Sequence, residues 1–422
     1  MNPELAEQMF EEGGTLVLLG MPVGTEFGID LNLWNVGNRF KGVKMIPPGL
    51  HFIYFSAVSR QGDTAPRTGF FHIFQQREVV LRHYDPNTED LKVEDVDPDE
   101  VARIRANLHD LDRCLGAYPI DSWRKWVSLT QYVDQGELER MLPLSGRVCS
   151  VLELIPGRTW HKTAKQPKSG EISSATDVSS LFTGCQTDGS HLTLSNRDQW
   201  SRSSDIYEIT YDFEYLKQTR PKQVLPEMTP KAGTEFRFSK FPSQPYRDGA
   251  TPSEVTRYSL DSSYSVRQMM DKADRPESML AELQMSFVCF LVGQVWDAWE
   301  QWRCLMSALC RAEELLLQIP ELFSKFISII HFQIQEVPED LFVDIVESNN
   351  FLAAALTTLF ANVNDNTSSL PTHLVKKAQR FKVHITEKFK WNLNLVDEGE
   401  DAPIIVETEN ASVDRSKPMS SA

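Results

Sequence analysis

The sequence predicts an α+β protein, with a β-rich first half flanked by helices and an all-helical second half. Three observations carry this reading. Residues 15 to 84 divide into short apolar runs separated by Gly and Pro turn signals. From residue 250 onward, apolar residues recur at spacings of three and four, the period of a helix face. Between the two halves, Ser169 to Ser204 holds ten serines with several Gly, Asp and Asn.

In the first half, Thr15–Leu19 is a strand closed by Gly20. Pro47-Pro48-Gly49 precedes Leu50-His-Phe-Ile-Tyr-Phe55, which is apolar on both faces and so reads as a buried strand. Gly69–Phe74 and Val79–His83 follow, giving an antiparallel arrangement, sandwich-like or barrel-like. After an acidic loop, Asp97 is placed to cap a helix, Pro98 suits its first position, and Glu100 is placed to complete a capping box. Val101, Ile104, Leu108, Leu111 and Leu115 form one apolar stripe that Gly116 would end. A second helix starts at Asp121, with Trp123, Trp126 and Val127 inward.

The serine-rich stretch reads as a linker or surface insertion. Tyr207, Ile209, Tyr211, Phe213 and Tyr215 then alternate as in a strand. Thr251-Pro252-Ser253-Glu254 is a helix N-terminal signature. Met279 to Gln318 is too long for one globular helix, so it predicts a hairpin breaking near Gly293. Further helices are expected at 321–334, 339–361 and 371–390. Trp299 and Trp302 fall on the apolar stripe and read as core, whereas Trp296 reads as surface. The expected organisation is a β-rich domain at 1–165, a linker at 166–205, a mainly helical domain at 206–395 and an acidic tail at 396–422. The compositional break predicts two units that fold separately.

The 422 residues carry a net charge of −16, which argues against duplex nucleic acid as a direct partner, since that needs a basic face. The basic run Lys376-Lys377-Ala-Gln-Arg380-Phe-Lys382 reads as a solvated helix face, with a base-stacking role for Phe381 as the alternative. The N-terminus lacks a cationic flank, and the most apolar stretch, Phe287–Trp296, is too short to span a bilayer. The expected location is cytoplasm and nucleus.

Cys114, Cys149, Cys185, Cys289, Cys304 and Cys310 form no C-x-x-C pair, so reduced thiols are expected and no cofactor or metal site. His161, Cys185 and His191 lie near one another, but without motif spacing. No phosphate-loop, nucleophile-elbow or zincin motif occurs, and the protein reads as non-enzymatic. Gly-Thr-Glu-Phe occurs at 24–27 and 233–236 with different flanks, which predicts a short strand in each half.

Several segments are similar to the Aar-two splicing-factor family. They are Gly24-Thr-Glu-Phe-Gly-Ile-Asp30 with Trp34, Phe40-Lys-Gly-Val-Lys-Met-Ile-Pro-Pro-Gly-Leu-His-Phe52, Met228-Thr-Pro-Lys-Ala-Gly-Thr-Glu-Phe236, Phe287-Val-Cys-Phe-Leu291 and Pro338-Glu-Asp-Leu-Phe-Val-Asp-Ile-Val346. The serine-rich stretch is longer than the family pattern. The resemblance implies a β-rich domain followed by a helical domain similar to VHS domains. It implies a chaperone of the Prp-eight protein in the precursor of the U5 small nuclear ribonucleoprotein. Such a chaperone binds the RNase H-like and MPN domains of Prp-eight and delays helicase and RNA binding. The alternative from another class is a VHS-like adaptor in vesicle traffic.

Two sites follow. Ile404, Ile405 and Val406 form a short β-branched run in the acidic tail, which has seven Asp or Glu against two basic residues from Asp397 onward. It is expected to add as a strand to a sheet edge of the partner, as the family's tails do, with packing back on its own domain as the alternative. Ser253 is a candidate phosphorylation site.

Overall fold

The computed structural model describes residues 3–59, 61–92, 96–156, 228–273, 275–337, 351–391 and 393. Helix α1 (Pro3–Glu12) leads into β1 (Gly14–Leu19), β2 (Glu26–Ile29), β3 (Asn32–Asn35), β4 (Gly42–Ile46), β5 (Gly49–Ser56), β6 (Thr68–Phe74), β7 (Val79–Asp85) and β8 (Asp90–Leu91). Helices α2 (Pro98–Ala106) and α3 (Leu108–Leu111), strand β9 (Leu115–Ala117), helices α4 (Ile120–Thr130) and α5 (Gln135–Met141), and strands β10 (Val148–Cys149) and β11 (Leu154–Pro156) complete the first half. After β12 (Met228–Pro230) come α6 (Pro252–Leu260), α7 (Ser263–Met270), α8 (Ser278–Leu291), α9 (Trp296–Cys310), α10 (Glu313–Gln318), α11 (Pro320–Glu336), α12 (Phe351–Asp365) and α13 (Thr372–Phe389). The expected α+β architecture, β-rich then helical, is the one observed.

Two five-stranded sheets, ordered β8-β7-β1-β4-β9 and β10-β6-β5-β2-β3, face each other; the second is antiparallel as expected, but the first is mixed, because β1 runs parallel to β7 and β4 to β9. Strand alternation assigns each side chain to a layer. Leu16 and Leu18 of β1 meet Ile53 and Phe55 of β5 between the sheets. Val17, the residue between, points outward to Val79, Leu81 and Leu115, which Val101, Ile104, Leu108 and Leu111 cover. Phe52 and Tyr54 of β5 point the other way, into a cluster shared with α4, α5 and the helical half. β5 is therefore apolar on both faces because both faces are covered.

The apolar stripe from Val101 to Leu115 exists, but not on one helix. The chain breaks at Asn107, passes through α3 and a short 3-10 turn, and Leu115-Gly116 enters β9, pairing in parallel with Gly42 and Val43. Gly116 is thus a strand residue, not a helix stop. Asp97 caps α2 through the Asp99 amide as expected, but Glu100 turns away to His83 at 3.2 Å, and no capping box forms. On α4, Trp126 is fully buried and its indole N–H donates to the Leu50 carbonyl at 2.6 Å, whereas Val127 is 40% exposed and not inward.

In the helical half the predicted hairpin breaks where expected. A side chain at Gly293 would collide with the Cys289 carbonyl, and Gln294 takes a left-handed turn at φ 57°. The hairpin ends in a third piece, α10, because Ala312 leaves the helix after Arg311. Trp299 and Trp302 are buried and stacked 5.3 Å apart, while Trp296 is half exposed. Thr251 and Glu254 form a complete capping box on α6. The second Gly-Thr-Glu-Phe, at 233–236, is not a strand. It is a turn followed by Phe236, which packs against the helical core. The serine-rich stretch, the His161, Cys185 and His191 group, the run Tyr207 to Tyr215, the segment 338–350 and the tail with Ile404, Ile405 and Val406 lie outside the described residues.

Candidate partner-binding surfaces

Two buried polar networks explain what the motif residues do. In the first, Asp30 turns the β2–β3 connection with φ 55°, a conformation Asp tolerates. One of its carboxylate oxygens accepts the Phe52 amide at 2.9 Å. The other accepts the Tyr118 hydroxyl at 2.6 Å and meets His51 Nδ1 at 2.7 Å. His51 Nε2 lies 2.8 Å from the Pro47 carbonyl. Both imidazole nitrogens therefore face oxygen atoms, and each ring nitrogen of this buried histidine has a partner. Burial, followed by the charge and hydrogen bond of Asp30, pushes the Tyr118 phenol far above its ordinary range.

An Asp–His–Tyr group resembles catalytic machinery, but Asp30 and His51 are 0% exposed and Tyr118 2%. Sealed between the sheets, it has no path to a substrate. Gly28 in the same motif leaves room for the Tyr54 ring, which would lie 2.1 Å from an added side chain. Gly42, with φ 136°, passes against the Leu16 carbonyl so closely that no other residue fits.

The second network fastens the halves. Glu282, fully buried in α8, accepts from Arg140 of α5 at 2.8 Å. It also accepts the Ser239 amide at 2.8 Å, the Ser239 hydroxyl at 2.7 Å and Gln301 of α9 at 2.7 Å. Burial works against the charge of Arg140, but hydrogen bonds and attraction from Glu282 and Glu137 more than offset it and hold the guanidinium above its usual value. Gln284 accepts the Tyr132 amide at 2.9 Å and donates to the Ser128 carbonyl at 3.0 Å. Arg67 of the sandwich donates to the Val292 carbonyl at 2.7 Å, beneath the Tyr54 ring. Burial pushes the Tyr54 phenol up to about 12. The compositional break therefore is not a break in packing. Trp126, Leu129 and Met141 share one hydrophobic cluster with Leu280, Phe287 and Phe326.

With these polar groups turned inward, the outer surface offers concave apolar ground. The ribbon of β11 and β12, where the chain leaves and re-enters the described residues, borders a cavity of about 420 Å³ at the junction of the halves. Val151, Leu154 and Trp296 project there, 58%, 50% and 48% exposed. Beside them burial, then Glu235 and Glu300, raises the Asp297 carboxyl. Exposed apolar side chains grouped at a concavity suit contact with a macromolecule. Among the described residues, no helix is long and apolar enough to cross a membrane, and no three His, Cys, Asp or Glu are grouped to hold a metal. Cys289 and Cys310 are buried, and burial drives both thiols well above their normal range.

Of the two predicted sites, Ser253 lies exposed in the first turn of α6, flanked by the capping pair. The tail run lies outside the described residues. The basic run reads differently from expectation in one respect. Phe381 is 3% exposed and cannot stack on a base, and Lys377 is bound to Ser324 and Ser328. Sequence reasoning missed Asp30, His51, Glu282 and Arg140. The only available signal for Glu282 was a lone carboxylate inside an apolar helix.

The fold defines a β-sandwich locked to a helical stack, with its strongest polar constellations spent on internal fastening. Two family models match it: the AAR2 N-terminal domain at residues 12–143 and the AAR2 C-terminal repeat region at residues 238–394. The protein called "Protein AAR2 homolog" in Mus musculus is 38% identical over 412 residues, covering 96% of this chain and 97% of that protein. The Homo sapiens protein of that name is 36% identical over the same span, and the Caenorhabditis elegans one is 33% identical over 399 residues, 93% of this chain and 98% of its own. The chain belongs to the AAR2 family, the one its motifs resemble.

Proposed function

We propose that this chain is a non-catalytic splicing assembly factor that binds the Prp-eight protein in the U5 particle precursor and delays helicase and RNA binding. Its family membership, over almost its whole length in both halves, supports a splicing-related assembly role and is the observation that carries the reading. The finer claims follow from the family pattern that the motifs resemble: Prp-eight and precursor proteins as partners, no direct nucleic acid, and residence in cytoplasm and nucleus. The buried, saturated state of the Asp30 and Glu282 constellations fits a binding protein better than an enzyme.

The proposed contact is the tail strand Ile404, Ile405 and Val406, added to an exposed sheet edge of the partner. About four backbone hydrogen bonds at roughly 1 kcal/mol each do not offset ordering about five residues at roughly 1–2 kcal/mol each. Burial of Ile404 and Val406 on one face, at roughly 1.5–3 kcal/mol each, supplies the surplus. Co-purification from cytoplasmic extract should recover U5 proteins, and recovery of clathrin adaptors instead would favour the trafficking class. Ile404→Asp with Val406→Asp should weaken the complex at least about tenfold and leave the melt of the free protein nearly unchanged. Unchanged affinity removes the tail contact. In the same assay Ser253→Glu is expected to weaken binding without lowering the melt, because a negative charge suits a helix N-terminus. No change would remove Ser253 as a regulatory site.

A further inference from the structure

A groove runs between α11 and α13 with a volume of about 460 Å³. Its apolar lining includes Ile327, Phe332 and Phe381, and its basic lining Lys376, Lys377 and Arg380. Phe332 is 37% exposed, whereas Phe323 and Phe326 on the same helix are buried. The ammonium of Lys377 donates at 2.9 Å to the Ser324 carbonyl and to the hydroxyls of Ser324 and Ser328. These partners hold it in place without neutralising it. Lys376 and Arg380 are exposed and have no side-chain partner among the described residues. Glu321, also on α11, is taken by His373 at 3.2 Å. Among the described residues, three cations therefore stand without a carboxylate beside an apolar floor, on a chain whose net charge is −16.

The chain itself carries the complement. After α13, Lys390 adopts a left-handed turn and Leu393 returns to the helix, 2% exposed, lining a cavity with Val375, Ala378 and Lys382. The residues that follow include Glu400 and Asp401, the run Ile404-Ile405-Val406, then Glu407 and Glu409. From Leu393, the roughly 11 residues to Ile404 span up to about 36 Å when extended. That exceeds the length of α13, about 27 Å for its 18 residues. Every point of the groove is within reach. Acidic residues on both sides of an apolar run match a basic rim around an apolar floor, in sign and in order.

We propose that the α11–α13 groove is the resting dock of the chain's own acidic tail, with Ile404 and Val406 on the floor beside Phe332 and the flanking carboxylates against Lys376, Lys377 and Arg380. The tail is then held on its own surface until a partner's sheet edge competes for the same apolar residues. The regulatory consequence rests on the tail contact proposed above, whereas the docking itself needs no partner.

Hydrogen exchange read by mass spectrometry on the full free chain tests the dock. Amides of 400–409 should exchange at least about tenfold more slowly than in an unstructured peptide. Lys376→Glu with Arg380→Glu should return them to the unstructured rate. Both side chains are exposed, so the melt should stay unchanged and report an intact fold. Ile404→Asp with Val406→Asp should release the same amides and speed exchange in the peptides around Phe332. Tail amides at the unstructured rate in the unaltered chain would overturn the proposal. So would protection that survives the Lys376 and Arg380 changes, which would place the tail elsewhere. Partner affinity separates the two readings: groove charge reversal should raise it, whereas a fall would make the groove a partner surface and overturn the dock. Loss of partner binding on tail mutation tests only the partner contact.

Discussion

Replacing Glu282 with Leu is the most direct test of the seam between the halves. The side chain is fully buried and accepts four hydrogen bonds, from Arg140, Gln301 and both donors of Ser239. Leu fills similar space but takes one carboxylate from the Arg140 guanidinium, which keeps Glu137, and leaves the half-buried Ser239 amide without its acceptor. Removing one member of a buried charge pair costs about 3–5 kcal/mol. Arg140 is 27% exposed and can recover water on one side, which places the cost near about 3 kcal/mol. Glu282→Gln keeps one acceptor oxygen and loses the charge, so about 1–3 kcal/mol is expected. At about 2 °C per kcal/mol for a large domain, the Leu variant should melt about 6 °C lower. Differential scanning calorimetry is the assay. Because the network joins α5, α8, α9 and the Ser239 segment, the unaltered chain and the variant should each melt in one transition. A shift below about 2 °C, or two transitions of which only one moves, would refute the argument that this carboxylate fastens one cooperative unit.

Trypsin should cut first within 166–204, as the composition predicts, yet the two fragments should co-elute on gel filtration under native conditions, because they share one hydrophobic cluster. Fragments that separate would show that the shared cluster contributes little. His51→Leu should cost about 1–3 kcal/mol in urea unfolding, because the buried Asp30 carboxylate keeps the Phe52 amide and Tyr118 hydroxyl but loses its imidazole partner. The double variant with Asp30→Asn should lose less than the sum of the two single changes, and additivity would count against the pair.

Elements that obey a local rule were readable from the amino-acid sequence. The apolar run Leu50–Phe55, the hairpin break at Gly293 and the Thr251–Glu254 capping box were legible because burial period, turn chemistry and capping each act within a few residues. The family was legible too, from short motifs in both halves. Where a local rule met a competing long-range partner, the sequence misled. Glu100 is placed correctly for a capping box, but His83 of β7 takes it. Leu108 and Leu111 continue the stripe of α2, yet β4 draws Leu115–Ala117 into a parallel strand and the helix has to end. The second Gly-Thr-Glu-Phe matches the first in letters, but at Phe236 the helical core supplies the burial that a sheet supplies at Phe27.

Which polar residues matter became visible once the chain was folded. Asp30 meets Tyr118 across 88 positions, and Arg140 meets Glu282 across 142. A hydrophobic period records whether a position is buried, but it carries no information about which distant group satisfies a buried charge. That pairing is fixed when the sheets and helices close on one another. For the same reason the basic run of α13, which reads as a solvated face, becomes in the structure the rim of a groove whose floor belongs partly to α11.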